Sequence, residues 1–148
     1  TITSSKVSAS DITVDWTSTD GTATTADADY TAASGTATIS AGSTTTTVTV
    51  VVNGDTKVES DETFTVDLSN PSGATISDAQ GVGTITNDDA ATLSIDDVTH
   101  NEGDSGTTNY VFTITSSLTS ASDITVDWTS TDDTATTADS DYTAANGT

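Results

Sequence analysis

Basic residues are almost missing from this chain. Lys6 and Lys57 stand against 23 acidic residues, 20 of them aspartate, and the net charge is −21. A field of this sign repels nucleic acid and anionic membrane surfaces and attracts cations. We therefore expect neither nucleic acid nor a membrane surface as a partner.

Two further absences narrow the class of protein. Cysteine does not occur, which excludes disulfide bonds and leaves the redox compartment unmarked. No apolar run approaches the roughly 20 residues that a membrane-spanning helix needs, so we expect no membrane insertion.

Residues with catalytic chemistry are also scarce. His100 is the only histidine, and a turn position near Glu102 explains it better than catalytic pairing. No serine stands in a Gly-x-Ser-x-Gly setting, and no glycine-rich phosphate loop is present. The sequence therefore predicts a protein that is not an enzyme, and it predicts no catalytic residues.

Large apolar residues are few, but their placement is regular. Threonine, serine, alanine and glycine dominate the composition, and this could indicate disorder. The apolar residues alternate with threonine, however, and this period of two is typical of half-buried antiparallel strands. Trp16 and Trp128 fall in phase with Val14 and Val126, which predicts that both rings lie in the core. The seven predicted strands of one copy are Thr92–Val98, Asn109–Thr115, Asp123–Ser130, Gly35–Ser40, Thr44–Asn53, Glu62–Ser69 and Gln80–Asn87. They predict an all-β fold, a seven-stranded antiparallel β-sandwich of the immunoglobulin class, with Pro71 in a connection.

The chain repeats itself. Thr1–Thr36 and Thr113–Thr148 lie 112 positions apart and differ at only five positions. That period suits one autonomous domain rather than a solenoid unit. We place the seam after Asp89, so that residues 1–89 (copy one) are the C-terminal part of one domain and residues 90–148 (copy two) the N-terminal part of the next. A window from a longer tandem array is the preferred interpretation, and a natural chain with a partial duplication is the alternative.

Strand direction predicts where the acidic residues meet. If each connection reverses the chain, every acid-rich connection lies at one end of the sandwich, which we call the acidic pole. Crowded carboxylates repel one another, and a divalent cation relieves that repulsion. Oxygen-only ligands on flexible loops favour Ca²⁺ over Mg²⁺, which demands stricter octahedral geometry. The alternative is a solvated acidic pole that only keeps the protein soluble.

Several motifs together resemble the Calx-beta domain family. They are Asp20-Gly-Thr-Ala with Asp29-Tyr30, Asp55-Thr-Lys-Val-Glu-Ser-Asp-Glu-Thr-Phe64, Leu68-Ser-Asn-Pro71 and Thr84-Ile-Thr-Asn-Asp-Asp89. The resemblance implies a seven-stranded sandwich that binds Ca²⁺ at one pole, as in the regulatory region of sodium–calcium exchangers, and tandem use in large extracellular bacterial proteins. The ligand positions that it implies here are Asp29, Asp55, Glu59, Glu62, Asp88, Asp89, Glu102 and Asp141. Gly54 and Asn87 depart from the acidic residues found at those positions in calcium-binding members.

A function follows as a prediction. We expect a calcium-binding structural repeat of a bacterial cell-surface adhesin, stalk or extracellular fibre, with Ca²⁺ at the seam between repeats stiffening the array. The expected location is extracellular or the cell surface. A regulatory calcium sensor and an inert spacer without metal are the alternatives. The expected partners are neighbouring repeats. Two interpretations of the partial copies stay open, namely arbitrary ends within a longer array and strand exchange with neighbouring chains in a filament.

Overall fold

The computed structural model describes all 148 residues, which form twelve strands and no helix. The main sheet lies in copy one and has four antiparallel strands in the order β4-β2-β7-β8. Its strands are β2 (Ile12–Asp20), β4 (Ser34–Ile39), β7 (Glu62–Ser72) and β8 (Gln80–Ile85). Ile12 pairs with Ile39 and Val14 with Ala37 across β2 and β4. All four side chains are buried, because alternation directs one face of each strand to the core.

Short strand pairs lie beside this sheet. β1 (Ile2–Thr3) pairs with β5 (Thr45–Thr46), and β3 (Tyr30–Thr31) pairs with β6 (Val51–Val52). The Tyr30 ring stacks on the Phe64 ring of β7 with centroids 4.7 Å apart. Ala23 completes this cluster, against which Val50, Val66 and Ile85 pack. The aromatic stack therefore joins the β3–β6 pair to the main sheet.

The predicted strand bounds of copy one need two corrections. The predicted strand Thr44–Asn53 is broken into β5 and β6. Pro71 lies inside β7 and not in a connection. The pairing of β2 with β7 shifts register there, from Asp15–Ser69 to Thr13–Ser72, so that Asn70 and Pro71 bulge out of the ladder. Proline donates no N–H, and a bulge is a place where a strand tolerates that loss.

Copy two forms only short ladders, and the strands predicted there, Thr92–Val98, Asn109–Thr115 and Asp123–Ser130, are too long. β9 (Leu93–Ile95) pairs with β10 (Ile114–Ser116), and β11 (Trp128–Thr129) pairs with β12 (Asn146–Gly147). The prediction that Trp128 is a core residue is wrong, since it is 44% exposed. Trp16 is only half-buried. Trp16 pairs with Gly35 on one side and Leu68 on the other, whereas Trp128 pairs with Gly147 alone. The missing second neighbour leaves the Trp128 ring uncovered.

Two backbone hydrogen bonds, both at Val58, join the two copies. The Val58 N–H donates to the Thr119 carbonyl at 3.0 Å, and the Ala121 N–H donates to the Val58 carbonyl at 2.9 Å. Val58 and Ser120 thereby form an isolated parallel bridge. The turn Ser116–Ser122 of copy two thus rests on the Asp55–Asp61 loop of copy one. No helix in the structure has the length and apolar character that crossing a membrane requires.

Candidate metal centre

Three carboxylates from separate segments of copy one converge at the predicted pole. Asp29 directly precedes β3, Glu62 is the first residue of β7, and Glu59 lies in the loop before it. One carboxylate oxygen from each of them lies within 4.8 Å of the others. Ca²⁺ binds oxygens at about 2.3–2.6 Å, so two of its ligands are at most about 5 Å apart. The spacing and the all-oxygen donor set fit a calcium ion.

Asp29 is held in place by hydrogen bonds within the protein. Its Oδ2 accepts a hydrogen bond from the Thr24 N–H at 2.7 Å, and its own N–H donates to the Thr24 carbonyl at 3.1 Å. The Asn53 N–H donates to the Asp29 carbonyl at 2.9 Å. Asp29 is only 7% exposed and is the one buried polar or charged residue of the protein. The neighbouring Tyr30, stacked on Phe64, ties this carboxylate to the core.

The loop that leads into Asp29 folds by its own hydrogen bonds. Asp20 accepts hydrogen bonds from the Tyr30 hydroxyl at 2.6 Å and from the Thr25 N–H at 3.1 Å. The Tyr30 bond, opposed by desolvation, holds the pKa of Asp20 below its usual range. Ala28 has a φ of 68°, a left-handed conformation that turns the chain sharply before Asp29. Sequence-local contacts therefore bring Asp29 to the pole.

Glu62 is the carboxylate whose ionised form is destabilised where the three side chains converge. Desolvation of the carboxyl, followed by repulsion from Asp29 and Glu59, raises the pKa of Glu62 above its usual value. Lys57 opposes this shift. A carboxylate whose charge is disfavoured by two others is one that a cation would stabilise.

Lys57 is the counter-charge already present. Its Nζ lies 2.7 Å from Glu59 Oε2. The hydrogen bond and the attraction from Glu59 raise the pKa of Lys57, with smaller contributions from Asp27 and Asp55. Half of the chain's lysines therefore lie at its densest group of carboxylates, and one ammonium cannot balance that group.

Six of the eight predicted ligands line one cavity of about 190 Å³. They are Asp29, Asp55, Glu59, Glu62, Asp88 and Asp89. Loops distant in sequence are thus gathered at one end, as the strand directions predict. That these residues bind metal stays a prediction.

The other two predicted ligands do not reach this cavity. Glu102 is exposed in the connection between β9 and β10. Asp141 is exposed as well and accepts a hydrogen bond from the Thr136 N–H at 2.9 Å. Both residues belong to copy two, in which this chain has no counterpart of Glu59 or Glu62. Glu102 and Asp141 are therefore candidate ligands of a different copy, and their assignment stays a prediction.

Asn87 has a role that sequence reasoning missed. Its Oδ1 accepts from the Glu59 N–H at 3.4 Å, its N–H donates to Asp61 at 3.0 Å, and its Nδ2 donates to the Asp89 carbonyl at 2.8 Å. An amide side chain both donates and accepts, so Asn87 can hold the Glu59 loop against the Asp88–Asp89 segment. A carboxylate in its place would accept only. The amide at position 87, where the family has an acid, was the sequence feature that could have indicated this role.

Comparison with known proteins agrees with the architecture. The chain belongs to the Calx-beta family, since the Calx-beta domain model matches residues 2–98 and again residues 86–148. The two matches overlap within residues 86–98, where the sequence places the seam. No curated protein matches the chain.

Among solved structures, the chain is similar to the crystal structure of the calcium binding domain CBD12 of CALX1.1. The TM-score is 0.54 at 23% sequence identity, over 62% of this chain and 40% of that chain. The chain thus spans less than half the length of that protein. A structural similarity at this level of sequence identity shows the fold alone. It confirms the all-β sandwich.

Proposed function

We propose that this chain is a calcium-binding structural module whose acidic pole holds Ca²⁺ at the joint between successive copies. The observation that carries the proposal is the convergence of Asp29, Glu59 and Glu62. Glu59 directly follows Val58, whose backbone contacts copy two. Binding and assembly would then use the same loop.

The charge balance supports a bound cation. With a net charge of −21, the chain is destabilised by self-repulsion wherever carboxylates gather. Asp29 and Glu59 help to raise the pKa of Glu62, which indicates that Lys57 leaves repulsion unrelieved. A divalent ion would neutralise two charges at that point.

The donors favour calcium among the divalent ions. Every polar group that lines the cavity and could act as a ligand offers oxygen, from the carboxylates and from the amide side chains of Asn53 and Asn87. Most of these residues lie in loops. Flexible oxygen donors suit Ca²⁺, which accepts six to eight ligands, better than the stricter octahedron of Mg²⁺. Asp29, Glu59 and Glu62 would hold the ion, and Asp55, Asp88 and Asp89 are within the same cavity to complete its shell.

The joint gives binding a mechanical consequence. Glu59 follows Val58 directly, and Val58 carries both hydrogen bonds to copy two. An ion that fixes Glu59 also fixes the backbone on which copy two rests. Calcium would therefore stiffen the connection and hold tandem copies extended.

The proposed setting is a repeat array in a bacterial cell-surface adhesin, stalk or extracellular fibre. The internal repeat, with only five differences in 36 positions, supports mechanical use of like units. Near-identity argues against specialisation as a graded calcium sensor.

Isothermal titration with CaCl₂ tests the binding. We expect heat of binding from the wild-type chain and a loss of at least about tenfold in affinity for Asp29→Asn, since even outer-shell changes cost 10- to 100-fold at metal sites. Asp141→Asn is the matched control, because Asp141 occupies the same sequence position in copy two but lies outside the cavity. Equal affinity for wild type and Asp29→Asn would remove the assigned site, and no binding at all would leave an inert spacer.

Strand exchange with neighbouring chains is a second mode of association that we propose. Ile124, Val126 and Trp128 of copy two are each at least 39% exposed and could receive a further strand. Gel filtration at several protein concentrations tests this proposal. A monomer at all concentrations would contradict exchange without affecting the calcium site.

A further inference from the structure

We propose that the turn Ser4–Ser10 of copy one is a docking surface for the acidic pole of another copy of this domain. The inference rests on the tandem arrangement proposed above, but it does not require calcium. We call this turn, and its counterpart Ser116–Ser122 in copy two, the docking turn.

The mode of docking is seen within the chain. The docking turn of copy two contacts Val58 through the Thr119 carbonyl and the Ala121 N–H. Both contacts are between backbone atoms. The contact therefore depends on the shape of the turn more than on its side chains.

The docking turn of copy one has that same shape, although no second copy contacts it. Its Ser4 hydroxyl donates to the Lys6 carbonyl at 2.8 Å, as Ser116 does to Leu118 at 2.8 Å. Its Ser10 N–H donates to Ser8 Oγ at 3.1 Å, as Ser122 does to Ser120 at 3.2 Å. The turn is thus preorganised by its own serines, and little ordering cost would remain on docking.

The two atoms needed for docking are free in copy one. The equivalents of the Thr119 carbonyl and the Ala121 N–H are the Val7 carbonyl and the Ala9 N–H, and neither makes a hydrogen bond. The turn is attached to its own copy through other atoms, with the Gly42 N–H donating to the Ser8 carbonyl at 2.9 Å. The Val7 side chain is 64% exposed. The surface is formed but has no partner.

Charge identifies the partner as an acidic pole. The docking turns differ at two positions, Lys6 against Leu118 and Val7 against Thr119. Lys6 is one of only two basic residues in the chain, and docking would bring its ammonium close to a loop like Asp55–Asp61. A joint made by this turn would gain a second positive charge beside that of Lys57, which the observed joint has alone. We infer that it depends less on a bound cation.

The test transplants one turn onto the other. In the double variant Leu118→Lys, Thr119→Val, residues 113–122 become identical to residues 1–10, and the copy-one turn then faces the pole of the same chain. The native chain has no cysteine, so spin labels on Thr38→Cys and Thr125→Cys report the distance between the copies without further changes. Every variant is measured in CaCl₂ and in chelator and is compared with the wild-type chain in the same buffer, which separates the backbone contact from any stiffening by calcium.

Two proline variants supply the reference states. Ala121→Pro removes the N–H that binds Val58, and we expect loss of the narrow distance peak. Ala9→Pro makes the same change at the equivalent position, where no hydrogen bond is lost, and should keep the wild-type peak. Ala121→Gly keeps the N–H and should keep the peak as well, which separates loss of the bond from loss of the side chain.

The transplanted variant decides the proposal. A narrow peak at the wild-type distance supports it, and a broad distribution like that of Ala121→Pro overturns it. A wild-type peak in Ala121→Pro also overturns it, because the Val58 contact would then not be what holds the copies together. A calcium titration of the same samples is read separately. If the wild-type chain does not bind calcium, the calcium proposal is wrong, but the docking result is unaffected.

Discussion

The segments Thr1–Thr36 and Thr113–Thr148 place nearly one sequence in two surroundings. Their loops agree closely: Tyr30 donates to Asp20 at 2.6 Å, and Tyr142 donates to Asp132 at 2.7 Å. The left-handed residue before the key aspartate also recurs, with φ 68° at Ala28 and 66° at Ser140. The loop at the pole is therefore determined by its own sequence.

The strands of the same two segments do not agree. β2 has nine residues, whereas its counterpart β11 has two. Asp29 is buried, whereas Asp141 is exposed. β2 lies between β4 and β7, while β11 pairs with β12 alone. Strand length and burial thus depend on the partners that tertiary structure supplies, as the context dependence of β-propensity requires.

The largest expected effect is on stability, from the matched pair Ile12→Ala and Ile124→Ala. Ile12 is 7% exposed and Ile124 is 44% exposed. Truncating a buried isoleucine costs about 2–5 kcal/mol, whereas the half-exposed one should cost about 1 kcal/mol or less. Urea unfolding of both variants measures the difference. Equal losses would show that copy two has a core that its exposure does not reveal.

The second-largest expected effect is on the urea midpoint of Glu62→Gln, measured with and without calcium. It separates charge repulsion from metal binding. Glu62→Gln removes one of three converging carboxylates, so we expect a higher urea midpoint than wild type in chelator. In calcium the order should reverse, because a ligand is lost and calcium stabilises the folded state less. Asp141→Asn should leave both midpoints nearly unchanged. A Glu62→Gln protein that is less stable in chelator would contradict the repulsion.

The smallest expected effect is on the pKa values of two hydrogen-bonded pairs, Asp20–Tyr30 and Asp132–Tyr142. It should be the same in both copies. The tyrosine hydrogen bond is the main cause that lowers the pKa of Asp20 and of Asp132. Correspondingly, the hydrogen bond to the carboxylate raises the pKa of Tyr30 and of Tyr142. A depressed carboxyl pKa contributes stability that is present above the ordinary aspartate value, about 3.9, and is lost as pH falls through the lowered value.

NMR titration of the phenols checks this equality. Asp20→Asn should lower the pKa of Tyr30 alone, and Asp132→Asn that of Tyr142 alone. An ordinary value for Tyr142 beside a raised one for Tyr30 would mean that the loop needs the packed core in order to form.

Sequence alone was sufficient for the internal repeat and for the alternating strands of copy one. The period-two pattern of Ile12 and Val14 predicts β2, and reversal of successive strands predicts that Asp29, Glu59 and Asp88 meet. Both depend on local regularity. The motifs from Asp20 to Tyr30 needed nothing outside their own segment.

The remaining features depend on contacts that leave no periodic signal. The bulge at Asn70 and Pro71 arises from pairing with β2, and the exposure of Trp128 arises from a neighbour that it does not have. Val58 lies in a loop outside any alternating pattern, yet its backbone joins the copies. Glu102 and Asp141 were assigned by family position, but each lies in a copy whose partners for the site are not in this chain.

Calcium at the pole of copy one should stiffen the joint with copy two. Small-angle scattering tests this most directly. The wild-type chain should show a larger and better-defined maximum dimension in CaCl₂ than in chelator, and Asp29→Asn should lose that difference. An identical scattering profile for the wild-type chain in both conditions would contradict the account.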